Sequence, residues 1–300
     1  MIDLHIHSTC SADGGASIAE YARRAQGLGL VEVGLCEHVD FDLRDQTHGY
    51  LDPARYDREM ATGQVTAPEI RLRQGVEITY QASLEAEIRA WLAGRSWDYV
   101  IASVHLVDYD DGWAIVSEPS AMEAYFGRHS QRQAYVPYFE ELLRAARSGL
   151  GDVLGHFDLV KRYGTEHYGR LEPEAFADEI RAVLRAAVET GVGLEINTSG
   201  LRQAPGEPYP GLTVLRWYRE MGGEIVTVGS DAHLVEHLAA GTDQALAMAL
   251  AAGFTAITTF EARAPRWITI GDLGLGDTFL QPDGRRCVKR GDCQKTKPLV

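Results

Sequence analysis

Short apolar runs that end on a histidine or an acidic residue recur along this chain, and segments of helical spacing separate them. The first run is Met1-Ile2-Asp3-Leu4-His5-Ile6-His7-Ser8. Residues two apart on a strand point to the same face. His5 and His7 therefore aim both imidazoles at one spot, where the strand gives way to a loop. Two such rings are half of a metal site. The pair alone is equally consistent with a polar strand end that binds nothing.

The rest of the chain repeats the pattern. Strands are expected at 31–36, 70–76, 99–104, 152–155, 194–197, 225–229 and 256–260. Helical spacing is found at 17–28, 84–93, 120–148 (divided around Pro137), 174–190, 211–221 and 235–252. Residues 39–68 read as a long irregular polar segment, and loops of that length are usually functional covers. Strand–helix pairs of roughly 30–45 residues indicate parallel βα units. Their number suggests an α/β barrel rather than an open sheet, and 300 residues suit one. No Gly-rich turn follows the first strand, which disfavours a dinucleotide fold. From about residue 271 apolar residues thin out. The chain is thus expected to comprise a barrel over 1–270 and an extension over 271–300.

Composition narrows the partners. With 43 acidic against 29 basic residues the formal charge is -14, which argues against a nucleic-acid backbone as partner. No apolar run approaches the length of a membrane span, and the first residues lack the basic-then-apolar order of a signal peptide. Cys10, Cys36, Cys287 and Cys293 form no close CxxC pair. A cytoplasmic protein with reduced thiols is the expectation.

The ligand-type residues fall at the strand ends: His5 and His7, then His38, Glu77, His105, His156, and Asp231 with His233. In a parallel barrel the C-terminal strand ends share one face, where active sites are built. These side chains would converge on one bowl, within reach of Asp13 in the loop after His7. A single histidine at a strand end is more often a hydrogen-bonded core residue. So many coinciding with strand ends favours metal binding.

Asp3-Leu4-His5-Ile6-His7-Ser8, Glu37-His38, Gly75-Val76-Glu77, Ser103-Val104-His105, Gly155-His156 and Ser230-Asp231-Ala232-His233 resemble the successive motifs of the PHP (polymerase and histidinol phosphatase) superfamily. The resemblance runs from residue 2 to about 260. It implies a distorted (β/α)7 TIM-like barrel with three divalent metal ions (zinc, iron or manganese) at the C-terminal ends of the strands. By motif, His5, His7, Glu77 and Asp231 would hold one ion. Glu77 would bridge to a second, held also by His105 and His156. Asp13, His38 and His233 would hold the third, with Asp13 standing where many relatives have histidine. Such a centre keeps a surplus of about three positive charges over Asp13, Glu77 and Asp231, and so attracts a phosphate monoester even within an acidic protein. A bridging water, acidified toward neutral pKa, would supply hydroxide as nucleophile, with Asp231 or His233 assisting the proton.

Two further stretches, Gly155-His156-Phe157-Asp158-Leu159-Val160-Lys161-Arg162-Tyr163 and Glu195-Ile196-Asn197-Thr198-Ser199-Gly200-Leu201-Arg202, resemble the histidinol-phosphatase branch. The implied reaction is hydrolysis of L-histidinol phosphate in histidine biosynthesis. Arg162 and Arg202 would then clamp phosphate, and Lys161 is expected to be exposed. The 39–56 segment, with Asp40, Phe41, Asp42, Asp45, His48 and Tyr50, is the candidate lid over the cationic end of the substrate, or else an ordinary solvated surface. His129, His167 and His237 have no motif support. The rival readings are a PHP-type phosphoesterase acting on another small ester such as a nucleotide, and a non-enzymatic metal-binding regulatory domain. The latter would require broken ligand positions, and none is broken.

Overall fold

The computed structural model of the chain describes residues 1–273 and, beyond them, the backbone of three short strands. β1 (Ile2–Ile6) is buried throughout. α1 (Ile18–Leu28) starts at a capping box, in which Ser17 and Glu20 satisfy each other's backbone N–H groups, and stops at Gly29 with φ 69°. There follow β2 (Glu32–Val39), α2 (Pro53–Thr66), β3 (Arg71–Thr79), α3 (Glu85–Ala93) and β4 (Tyr99–Ser103). An antiparallel hairpin, β5 (Leu106–Tyr109) and β6 (Gly112–Ile115), leads to α4 (Pro119–Phe126) and α5 (Gln131–Ser148). Next come β7 (Val153–Leu154), α6 (Lys161–Tyr168), α7 (Ala177–Thr190), β8 (Gly193–Asn197), α8 (Leu212–Glu220), β9 (Val226–Gly229) and α9 (Thr242–Ala251). β10 (Ala256–Glu261) and β11 (Ala264–Thr269) form a separate antiparallel pair. β12 (Thr278–Leu280), β13 (Arg286–Val288) and β14 (Asp292–Gln294) make a small antiparallel sheet. The expected 271–300 extension otherwise lies outside the described residues.

Seven strands form one parallel sheet in the order β1-β2-β3-β4-β7-β8-β9. Its two edges meet at the C-terminal ends, where Asp231 N–H donates to His5 O at 2.7 Å and His7 N–H to Ala232 O at 2.9 Å. The result is the expected α/β TIM-like barrel, nearly closed. Apolar strands buried on both faces are what a parallel sheet under helices requires. Among the described residues no helix is long and apolar enough to cross a membrane.

The barrel interior is layered by the two-residue strand period. Cys36 pairs with Gly75 and Gly75 with Tyr99; one layer higher, His38 pairs with Glu77 and Glu77 with Ile101. Tyr99 plugs the lower layer, its hydroxyl donating to Leu4 O at 2.6 Å. A Cβ at Gly34 would lie 2.0 Å from the Tyr99 hydroxyl oxygen and one at Gly75 2.7 Å from its ring, so both must be glycine. An apolar floor therefore lifts His38 and Glu77 to the mouth.

Several boundaries differ from those read in the sequence. The 39–68 segment contains α2, begun by Asp52, whose side chain accepts from Ala54 N–H, and by Pro53 in the first turn. The 120–148 helix divides between Phe126 and Gln131, where Ser130 and Gln133 form a new capping box, and Pro137 lies inside α5. α6 and the β5–β6 hairpin were not expected. The last helix begins at Thr242 rather than 235, because Gly241 turns the chain with φ 78°. β10 pairs with β11 instead of extending the barrel.

Candidate metal centre

The strand ends bring the foreseen side chains together. Glu77, 1% exposed, stands at the centre. Its Oε1 lies 2.8 Å from His156 Nε2 and 3.5 Å from His105 Nε2. Its Oε2 lies 3.1 Å from His38 Nδ1, 3.3 Å from His5 Nε2 and 3.5 Å from His7 Nε2. Asp231 Oδ1 lies 3.4 Å from His7 Nε2 and 3.5 Å from His233 Nδ1. Asp13, half exposed, places Oδ2 3.0 Å from His233 Nε2 and 3.6 Å from His38 Nε2.

Among the described residues, donor atoms within 4.8 Å of one another form three sets: His5, His7 and Glu77; Glu77, His105 and His156; and His7, His38 and His233. Glu77 belongs to two, as expected of a bridging carboxylate. The first differs from the expected one in lacking Asp231, and the third in lacking Asp13 and containing His7, whose ring stacks 4.1 Å from that of His38 and 4.3 Å from that of His233. Asp13 approaches that set from the solvent side.

The arrangement fits cations. His5 Nε2 and His7 Nε2 face each other at 3.0 Å, and His105 Nε2 and His156 Nε2 at 3.1 Å. Neutral rings in that geometry oppose lone pairs unless a proton or a cation lies between them. Buried Glu77 Oε2, among three imidazoles, accepts no well-directed hydrogen bond. Imidazole with carboxylate suits zinc, iron or manganese. Among the described residues the thiols, Cys10 and Cys36, belong to none of these sets, and Cys36 donates to the Tyr99 hydroxyl at 2.8 Å.

Burial lowers the His7 pKa, and neighbouring His38 and His233 press it further, well below its usual value. Burial also opposes charge on His5 and His38, but carboxylates outweigh it. Glu195, Glu77 and Asp231 lift His5 well above the usual value, and Glu77 above all lifts His38 to about 10. Burial would raise Glu77, yet the imidazoles of His5, His105 and His38 hold it well below the usual carboxylate range. Without ions, His5 and His38 thus carry protons at neutral pH that a cation must displace. Zinc added to ion-free protein at pH 7.5 is expected to release about two protons per chain from His5 and His38, beyond that from metal-bound water, measured by calorimetry in buffers of different ionisation enthalpy. The part due to His38 should shrink as pH rises toward 10, its pKa without ions. Zinc binding with no buffer dependence would contradict this assignment.

Surrounding groups hold the donors in place. Glu195, 1% exposed, accepts from His5 Nδ1 at 2.6 Å through Oε1. Its Oε2 accepts from the His156 backbone N–H at 2.9 Å and from Asn197 Nδ2 at 3.0 Å. This fixes the hydrogen of His5 on Nδ1 and frees Nε2. The sequence does not single out Glu195; the available signal is an acid inside the apolar run Leu194-Glu195-Ile196. Gly229 makes room for the pair, since a Cβ there would lie 2.2 Å from Glu195 Oε1 and 2.3 Å from His5 Cβ. Glu37 accepts from the hydroxyls of Ser8 and Ser11, each at 2.6 Å, and orders the turn after His7. Asp3 accepts from Ser230 N–H and Ala239 N–H, both at 2.8 Å, anchoring the loop that carries Asp231 and His233. Asp231 itself takes φ 53°, a strained backbone of the kind that clusters at functional sites.

A cavity of about 400 Å³ opens above these residues, with Arg162 in its wall. Arg202 is not among its lining residues; its guanidinium donates to Ser230 O at 2.9 Å and braces the loop before Asp231. His48 is exposed and lines a smaller neighbouring cavity of about 170 Å³ with Phe41, Tyr50 and Trp91. Lys161 corrects the expectation of exposure. It is 1% exposed, and Nζ donates to Asp158 at 2.9 Å, Glu207 at 2.9 Å and Pro208 O at 3.1 Å. Two carboxylates and a carbonyl satisfy all three of its hydrogens. His129 lies apart, stacked 3.9 Å from Tyr125.

Known proteins resemble this chain in sequence and fold. The PHP domain profile matches residues 3–199. A protein of Deinococcus radiodurans described as a probable histidinol-phosphatase is 30% identical over 239 residues, covering 78% of this chain and 86% of its own length. A protein of Thermotoga maritima with the same description is 27% identical over 246 residues, covering 82% and 90%. Among solved structures, histidinol phosphate phosphatase of Lactococcus lactis, in complex with zinc, L-histidinol and phosphate, superposes with a TM-score of 0.77. It is 24% identical, and the match covers 88% of this chain and 98% of that one.

Proposed function

This chain belongs to the PHP domain family, in its histidinol-phosphatase branch, and from that premise we propose that it hydrolyses L-histidinol phosphate to L-histidinol and inorganic phosphate. The observation that carries the reading is Glu77, buried between sets of imidazoles at the floor of a cavity with an arginine in its wall. Divalent ions held there would supply hydroxide at neutral pH and neutralise charge on the transferring phosphoryl group.

The side chains have distinct tasks in this account. His5, His7, Glu77 and Asp231 would hold one ion, Glu77, His105 and His156 a second, and Asp13, His38 and His233, with His7 beside them, a third. His233, part-exposed, is hydrogen-bonded through Nδ1 to Asp231 O at 3.1 Å, which would leave Nε2 to face the third ion. Arg162 binds the phosphoryl oxygens from the cavity wall. Asp45 and Glu118 give the same cavity acidic groups, and Trp113 an aromatic face, for a cationic leaving group. The barrel over 1–270 is, in this proposal, the metal-dependent phosphoesterase unit, with 271–300 as an extension of it.

A phosphate-release assay on metal-loaded protein tests the substrate. L-Histidinol phosphate is expected to be cleaved about 10–100-fold more efficiently than nucleoside monophosphates or uncharged alkyl phosphates, since a hydrogen bond to a charged group contributes about 1.5–3 kcal/mol. Equal rates across the panel would overturn that specificity and leave a general small-ester phosphatase. Arg162→Ala should raise KM about 10–100-fold on the same grounds while metal content stays at the wild-type level. An unchanged KM would remove Arg162 from the phosphate site.

A further inference from the structure

The end of β3 reaches across to the loop that follows β2. Thr79 and Gln81, two residues apart, each hold an aspartate of that loop. The Thr79 hydroxyl lies 2.5 Å from Asp40 Oδ1, and Gln81 Nε2 donates to Asp42 Oδ2 at 2.9 Å. Thr79 Oγ1 is also 2.8 Å from His105 Nδ1. Farther along the loop, the Thr47 hydroxyl faces two carboxylate oxygens, Asp40 Oδ2 and, at 2.7 Å, Asp45 Oδ1. Asp40, Thr79 and His105 are all buried, whereas Thr47 is part-exposed and lines the main cavity beside Arg44 and Asp45.

Counting hydrogens gives this chain a direction. A carboxylate only accepts, so the single hydroxyl hydrogen of Thr79 points at Asp40 and its lone pair faces His105. His105 must then carry its hydrogen on Nδ1. That leaves Nε2 as a bare lone pair, 3.1 Å from His156 Nε2 and 3.5 Å from Glu77 Oε1. Asp40 can hold Thr79 this way while its second oxygen competes with Asp45 for the single hydroxyl hydrogen of Thr47.

We propose that Thr79 and Asp40 are positioning residues that fix the tautomer of His105, and that Thr47 couples this to the seating of the 40–50 loop. The loop that walls the cavity thereby also tunes the donor strength of the centre beneath it. The inference rests on the reading of His105 as a metal ligand. It assigns the polar residues of the loop to the metal centre, in addition to any contact with substrate.

Valine matches threonine in shape and lacks the hydroxyl, so Thr79→Val isolates the hydrogen bond from the packing. Zinc affinity is measured by chelator competition for wild type, Thr79→Val, Thr79→Ser and Thr47→Val, beside the 15N signals of His105 in ion-free protein. Wild type should show the His105 hydrogen on Nδ1. Thr79→Val should weaken the binding of at least one ion about 10–100-fold. Thr79→Ser should restore it, and Thr47→Val should show a smaller loss in the same direction. Wild type that binds zinc, with Thr79→Val of equal affinity, overturns the inference and leaves the metal reading intact. Wild type that binds no zinc overturns both. A hydrogen on Nε2 of His105 in the wild type overturns the inference even if Thr79→Val fails to fold.

Discussion

Glu77→Gln is expected to cut kcat/KM by at least about 10³-fold, equivalent to about 4 kcal/mol of transition-state stabilisation, and to lower the bound metal in the same preparation. Glutamine keeps the size of the side chain and removes its charge. The loss falls on two sets of donors at once, because the two oxygens of Glu77 face different imidazoles: Oε1 faces His105 and His156, and Oε2 faces His5, His7 and His38. A ligand that served one ion alone would leave the other sets intact. Without ions the substitution also removes a carboxylate that sustains protonated His5 and His38. The ion-free variant should therefore be less stable than ion-free wild type at pH 7, with the difference shrinking as pH rises toward 10, where His38 loses its proton. Metal content and kcat/KM measured side by side check this. A variant with full metal content and full activity would remove Glu77 from the centre.

Glu195→Gln should have the next largest effect, weakening metal binding about 10–100-fold although Glu195 belongs to none of the donor sets. One carboxylate orients His5 through Nδ1 and holds the backbone N–H of His156, so it ties ligands of two sets to β8. The amide supplies one acceptor oxygen where the acid supplies two, and its NH2 group must face one of the two donors. Chelator competition reads the change in affinity, and excess zinc should recover much of the lost activity. Activity that stays low under saturating zinc would show that Glu195 acts in the chemical step itself, and an unchanged affinity would show that His5 is held by its packing alone.

The parts of this site that are legible in the sequence follow from periodicity. His5, His38, Glu77, His105 and His156 each lie at or just past the end of an apolar strand. Parallel strands put all such ends on one face, so their convergence needs no knowledge of long-range contacts. Contacts made across the barrel leave no such trace. Glu195 sits within a buried strand, and only the β8–β9–β1 closure brings it to His5. Lys161 meets Glu207, which is 46 residues away in sequence, and nothing local distinguishes it from a solvated lysine. Asp13 is foreseeable as a reaching loop carboxylate, but the stacking of His7 on both His38 and His233 is not, because it depends on how the ends of β1 and β2 and the loop after β9 pack. α2 is hidden for a different reason. Its buried residues are only Tyr56 and Gly63, too few to give an apolar stripe, and the start signal Asp52-Pro53 stands within a polar segment.

Anomalous diffraction from crystals of zinc-loaded protein tests the central claim most directly. The account predicts metal peaks in the bowl at the strand ends: one between Glu77, His105 and His156, one among His5, His7, Glu77 and Asp231, and one beside His38, His233 and Asp13. Loaded crystals with no peak within coordination distance of Glu77, or with zinc bound only at surface histidines such as His48, would contradict it.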